Sequence, residues 1–319
     1  MKLNGNKILY IDRGTKISTI DWTLGNYCNF QCSYCFPGAN TGTDRVPSLD
    51  SVMKRNLTYL VKEIKSIGKE DILFHFSGGE PTLYHDIVNL MKFLRPLGSI
   101  AFVSNGSRTV RWWKQNVELM DNILFSYHSE YTDLKHLVNV CDTLMGKVKL
   151  AVHIMVNPKL FDKCIEDYKS LATMFLGEPI SFQFKLLREN RRSIVYTKEQ
   201  QEIMEYWSNH FPPNPTAKVG ITRPWSRIKV DGKEFQLKPK HIKDLEGDFT
   251  GYKCYAHHDF LQINKKGELG KMSCSQKYTT VSSIYSENFI DTFSLTKDNV
   301  ICEQKICGCL GLLFAGKEL

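Results

Sequence analysis

The 319-residue chain has no long apolar run. Its best candidate, LAVHIMV at 150–156, is broken by His153 and falls far short of the roughly 18 residues a membrane span needs. It reads instead as a buried strand. The N-terminus has four consecutive apolar residues before Asp12, too few for a secretory signal peptide. The final GKEL is not a full retention signal. A cytoplasmic protein with no membrane partner is expected. No sign of charge dominates either: 42 Lys and Arg against 34 Asp and Glu give +8, spread along the chain. The one dense basic stretch, LRENRRS at 187–193, reads as a solvated loop, with a phosphate or nucleic-acid contact left open. A hydrophobic share of 42% is enough for packed cores and argues against disorder. No sequence repeat is visible. Also missing is any Cys or His in the thirty residues after Cys35.

That gap matters because of what precedes it. The stretch GNYCNFQCSYCFPG, 25–38, places Cys28, Cys32 and Cys35 within eight residues, and the next cysteine is Cys141. Ten cysteines in a reducing compartment point to metal or redox chemistry rather than to disulfides. A structural zinc site wants four ligands, and here the fourth has to come from far away. Iron–sulfur clusters usually take four cysteines; three leave one iron with an open coordination position. Zinc with a remote ligand and a chance spacing are the alternatives. Cys141 and Cys164 fall on helical patterns and read as core thiols.

From residue 17 to about 210, short apolar runs alternate with helical patterns. The runs are ISTIDWTL, DILFHFS, IAFVSN, NILFSYH, VKLAVHIMV and ISFQFKLL. Between the first two, Leu49, Val52, Met53, Leu57, Leu60, Val61 and Ile64 recur at helical spacing, with Ser48 or Asp50 as N-cap and Gly68 at the end. Such alternation predicts an α/β fold with a parallel sheet and right-handed crossovers. The strands read as continuous apolar runs, as expected when both faces are covered. The three-cysteine loop follows the first strand, at the carboxyl end where ligands bind in such folds. SGGEP, 77–81, ends the second strand. Its paired glycines let a backbone approach a ligand closely, Glu80 adds an acid, and Pro81 fixes the turn.

Together, CNFQCSYC and GGEP resemble the radical S-adenosylmethionine (radical SAM) superfamily over roughly residues 17–210. The resemblance implies a partial (β/α)6 barrel of the TIM type. It implies that Cys28, Cys32 and Cys35 hold a 4Fe–4S cluster whose open iron chelates the amino and carboxylate groups of S-adenosylmethionine. An electron from a donor such as flavodoxin or ferredoxin then cleaves the sulfonium to methionine and a 5′-deoxyadenosyl radical, which abstracts hydrogen from a substrate. Residue by residue, Tyr34 matches the aromatic position near the adenine. Gly78, Gly79 and Glu80 match the segment that binds the methionine amino group. Asn105 and Ser126 match positions that approach the cofactor, with loop capping as the plainer role for both. His128 is expected to be structural, with ribose or substrate contact as the other reading.

After His210 the texture changes. FPPNPTAK is a Pro-rich linker, and a boundary is expected near residue 215, between a barrel at 1–215 and a small cysteine-rich domain at 216–319. Two β-hairpins are expected in the second part, turning at Asp231-Gly232 and near Lys266-Gly267. It also holds Cys254, Cys274, Cys302, Cys307 and Cys309. This resembles the twitch or SPASM-type extensions of radical SAM enzymes, which implies an auxiliary 4Fe–4S cluster held by four of these five; a zinc knuckle or buried free thiols are the alternatives. A peptide is the first substrate expected from the resemblance, then a sugar or nucleotide. A non-catalytic iron–sulfur electron carrier or metal-binding module is the competing reading, but it has no evident need for GGEP.

Overall fold

The computed structural model describes residues 8–12, 16–36, 38–43, 46–189, 192–211, 226–230, 233–237, 249–269, 282–295, 300–303 and 316–319. Six strands fall where the apolar runs predict: β2 (Ile17–Thr23), β3 (Asp71–Ser77), β4 (Ser99–Ser104), β5 (Asn122–Tyr127), β6 (Lys149–Val156) and β7 (Ile180–Leu186). The helices between them are α1 (Ser51–Ser66), α2 (Ile87–Leu94), α3 (Val110–Asn116), α4 (Leu134–Leu144) and α5 (Phe161–Met174), and α6 (Lys198–His210) follows β7. All six strands pair in parallel and in sequence order, which makes the partial barrel.

Local chemistry sets these elements. Asp50, not Ser48, caps α1 and accepts from the Met53 backbone N–H at 2.8 Å. Gly68, at φ 87°, ends it in a conformation that costs glycine little. The apolar stripe Met53, Leu57, Leu60, Val61 and Ile64 is buried against the sheet, each side chain contributing ~1.5–3 kcal/mol. Along the strands, alternate residues face opposite ways. Ile20, Trp22, Phe74, Phe76, Ile100, Phe102, Val152 and Ile154 join the helix-side core. Asp21, His75, Ser126, His153 and Gln183 have the opposite parity and face the barrel lumen.

Two features depart from the expectation. First, a seventh strand, β13 (Phe260–Ile263), pairs in parallel with β2 and completes the order β13-β2-β3-β4-β5-β6-β7. Its four residues carry too little periodicity to announce a barrel strand. They were expected only as one arm of a hairpin. That turn is present, with Gly267 at φ 72° and Ile263 bridging Leu269; beyond Leu269 the expected arm lies outside the described residues. Second, the strand β1 (Ile8–Asp12) precedes the first barrel strand. It pairs with β10 (Ser226–Val230) and β15 (Lys317–Glu318). β10 and β11 (Lys233–Leu237) pair antiparallel as the other expected hairpin requires, and its turn at 231–232 lies outside the described residues. With β12 (Lys253–Cys254) and β14 (Val300–Ile301) they make a second, six-stranded sheet of antiparallel pairs. Two residue pairs, Arg188–Glu189 (β8) with Arg192–Ser193 (β9), form a short ladder in the basic stretch. Among the described residues no helix is long and apolar enough to cross a membrane.

Candidate active site

The cysteine loop leaves the carboxyl end of β2. Leu24 N–H still donates to Ser77 C=O at 2.8 Å, and then Gly25 turns the chain at φ 71°. Asn26 fastens the far side of the loop: its amide reaches Gly38 C=O, Thr41 Oγ1 and Thr43 Oγ1 at 2.9, 2.7 and 3.1 Å. Residues 128–131, past the end of β5, brace the near side. The Tyr34 hydroxyl lies 2.8 Å from His128 Nδ1, and the two rings stack at 5.9 Å between centroids. Cys28, Cys32 and Cys35 are all partly exposed.

The GGEP turn packs against the start of this loop. A Cβ at Gly79 would sit 2.2 Å from Tyr27 O, and one at Gly78 would sit 2.7 Å from Gly25 O. The glycines therefore admit the backbone of the cysteine loop. Glu80 N–H donates to Tyr27 O at 2.7 Å. The Glu80 side chain is 2% exposed and turned inward. It accepts from Asn105 N–H (2.6 Å), Ser104 Oγ (2.8 Å), Thr82 Oγ1 (2.6 Å) and Thr82 N–H (3.1 Å). Burial pushes its carboxyl up, against the pull of these donors. Glu80 thus joins the ends of β3 and β4. Replacing it with alanine orphans two buried backbone N–H groups, and a loss of about 3 kcal/mol or more is expected, read as a fall in the urea midpoint.

These turns enclose a cavity of about 800 Å³. Cys28, Cys32, Cys35, Tyr34, Gly78, Gly79, Asn105 and Ser126 all line it; Glu80, of the residues singled out near it, does not. Asn105 takes the capping role expected of it and also reaches the first cysteine. Its Oδ1 caps Ser107 N–H at 3.0 Å, and its Nδ2 lies 3.7 Å from Cys28 Sγ. His128 lies on the wall, 3.3 Å from Cys32 Sγ, and burial pulls its pKa down to about 4. Burial also raises all three thiols, Cys32 to about 12 with help from the Glu130 charge. Half-buried thiols become thiolates when a multivalent cation arrives, so the donor set fits a cationic metal centre. Among the described residues, no group of three or more Cys, His, Asp or Glu side chains is close enough to grip one ion. A tetrahedral zinc site draws its sulfurs to about 3.8 Å from each other, whereas a cluster spreads its ligands over several irons.

Sequence reasoning missed several cavity residues. Met155 and Lys185 arrive from β6 and β7, opposite each other in register. Below Ser77 on the lumen face, His75 Nδ1 lies 2.7 Å from Asp21 Oδ1, and Gln262 of β13 donates to Asp21 Oδ2 at 3.3 Å. The only advance signal was polar residues interrupting apolar strands.

Of the C-terminal cysteines, Cys274, Cys307 and Cys309 lie outside the described residues. Cys254 and Cys302 are 3% and 6% exposed. Cys254 pairs with Val300, and Cys302 N–H donates to Tyr252 O at 2.7 Å, so the two thiols share a ladder face as diagonal neighbours. The chain passes from Cys254 through a short turn into β13, which starts level with Thr19. Cys254 therefore sits at the amino end of the barrel strands, opposite the Cys28 loop. The seven residues of β2 separate the two ends by about 20 Å.

The Radical SAM superfamily profile matches residues 22–180. Residues 22–180 form a domain of the radical SAM superfamily, and the protein is an enzyme. The chain is 26% identical over 188 residues to a "Probable GTP 3′,8-cyclase" of Saccharolobus islandicus (strain M.14.25 / Kamchatka #1), covering 58% of this chain and 53% of that relative. It is 25% identical over 178 residues to the GTP 3′,8-cyclase of Haemophilus influenzae (strain PittGG), covering 51% of each. The chain spans about half the length of the curated relatives it matches. Native anSMEcpe with bound AdoMet has the same fold, at a TM-score of 0.51 and 13% identity over 88% of this chain and 81% of that one.

Proposed function

We propose that this enzyme binds a 4Fe–4S cluster through Cys28, Cys32 and Cys35 and cleaves S-adenosylmethionine reductively to begin radical chemistry on a polar substrate. The observation that carries this reading is convergence. Three thiols from one loop, the Gly78–Gly79 turn, Asn105, Ser126 and Tyr34 come from the ends of four strands and line a single cavity. When bound, the cluster supplies the electron that splits the sulfonium into methionine and a 5′-deoxyadenosyl radical. The chain's own groups do the positioning. The Gly78–Gly79 backbone and Asn105 meet the methionine part, and Tyr34 takes the adenine side. Asp21, His75, Gln262 and Lys185 offer hydrogen bonds and a cation to a polar substrate in the lumen. That lumen, the +8 charge and the nucleotide in the relatives' names favour an anionic small molecule such as a nucleotide or sugar phosphate over a peptide.

Residues 216–319 are proposed to hold an auxiliary 4Fe–4S cluster on four of Cys254, Cys274, Cys302, Cys307 and Cys309. The diagonal placement of Cys254 and Cys302 supports it, since a cluster needs separated thiolates rather than touching ones. The Cys28 loop is at the other end of the strands, so a cluster held by these cysteines would supply an electron acceptor on the far side of the lumen. Anaerobically reconstituted protein is expected to hold about eight irons per chain and to make 5′-deoxyadenosine with a strong reductant. Cys307→Ala should bring iron towards about four while uncoupled cleavage continues. Full iron in that variant removes Cys307 from the ligand set, and about four irons in the wild type removes the second cluster. Cluster without 5′-deoxyadenosine favours an electron carrier instead.

A further inference from the structure

Glu130 lies past the carboxyl end of β5, partly buried, where the sequence HSEYTD gives no hint of a role. Its carboxylate takes three donors from two other elements. Ser33 N–H donates to Oε2 at 2.8 Å, the Ser33 hydroxyl donates to Oε1, and Asn157 Nδ2 donates to Oε1 at 2.7 Å. Ser33 stands between Cys32 and Cys35, so the grip falls beside one thiol and two residues before another. Asn157 is itself fixed at the end of β6, its Oδ1 accepting Lys159 N–H at 3.0 Å. Tyr131 adds a second hold: its hydroxyl donates to Gln31 O at 2.9 Å, and its ring stacks on Phe30 at 5.3 Å.

The charge is as informative as the geometry. Residues 24–36 and 38–43 contain no ionisable carboxylate, lysine or arginine, so the acid that touches Ser33 comes from outside the loop, from Glu130. No Lys, Arg or His pairs with it among the described residues. A clip that only needed to hold the loop could be neutral. A partly buried carboxylate is costly to keep unless its hydrogen bonds and its field are both used.

We propose that Glu130 is a positioning residue for the cysteine loop and the fixed negative charge that keeps the cluster's reduction potential low. This rests on the reading that Cys28, Cys32 and Cys35 hold the cluster. A nearby negative charge disfavours the reduced, more negative state, so its removal moves the potential upward. Glu130→Gln preserves size and an acceptor for Ser33 N–H while deleting the charge. It should retain iron and shift the midpoint positive in an EPR-monitored titration of reconstituted protein. Glu130→Ala should release iron to bathophenanthroline disulfonate about tenfold faster, in line with the loss of charge-assisted hydrogen bonds, with the apo-protein melting temperature little changed. Glu166→Gln, on the outer surface of α5, should change neither. An unchanged potential in Glu130→Gln overturns the electrostatic role, and wild-type iron release in Glu130→Ala overturns the positioning role. Wild-type protein that takes up no iron overturns the cluster assignment instead.

Discussion

Alanine at Cys28 is expected to eliminate 5′-deoxyadenosine formation altogether. Cys28 is one of three anchors on a loop with no fourth cysteine nearby, so its loss leaves two thiolates to hold a centre that needs at least three. The effect on the protein itself should be slight. The thiol is partly exposed, and its contacts are weak sulfur ones, to Phe30 N–H at 3.4 Å and Asn105 Nδ2 at 3.7 Å. A change of within about 1 kcal/mol in the apo-protein's stability is expected. This separation of effects is diagnostic: folding by circular dichroism and denaturation stays put, while iron at the first site and S-adenosylmethionine cleavage vanish. Cys141→Ala should do the reverse, because that thiol is fully buried in the α4 core. Cleavage at the wild-type rate in Cys28→Ala assigns the chemistry elsewhere.

Gly79→Ala should be nearly as damaging, by another route. The added methyl group would lie 2.2 Å from Tyr27 O and 2.8 Å from the Asn26 carbonyl carbon. Both are backbone atoms, so no side chain can swing aside. The turn and the cysteine loop must separate by more than an ångström, stretching the 2.7 Å bond from Glu80 N–H to Tyr27 O. Overpacking of this kind costs about 1–3 kcal/mol or more. The larger consequence falls on the cavity, whose two walls are the ones driven apart. S-adenosylmethionine binding, followed by the change it makes in the reduced cluster's EPR spectrum, should weaken at least tenfold, the scale set by an ångström of misplacement. Unaltered binding in this variant contradicts the packing role assigned to Gly79.

The barrel strands were legible because both their faces are covered, which forces long apolar runs such as ILFHF and LAVHIMV. The cysteine trio was legible because three scarce residues cluster on one loop. What escaped notice depends on partners far away in sequence. β13 becomes a barrel strand only by meeting β2, some 240 residues earlier. Asn56, buried mid-helix on α1, makes sense only because its amide donates to Ile284 O and Ser286 O. Glu130 looks like any acid before a helix until Ser33 arrives. Gly78 and Gly79 were recognised, but the object pressed against them was not, since a sequence does not say which backbone will lie across a turn.

The parallel pairing of β13 with β2 sets how this chain can be shortened. Leu261, Ile263, Phe289 and Phe293 belong to the same apolar cluster as the barrel helices. Cutting after residue 215 would strip β2 of its neighbour, leaving a row of bare amides beside a greasy seam. Such a fragment should stick to itself through that newly opened flank, and its solubility would be lost before its iron chemistry could be assayed.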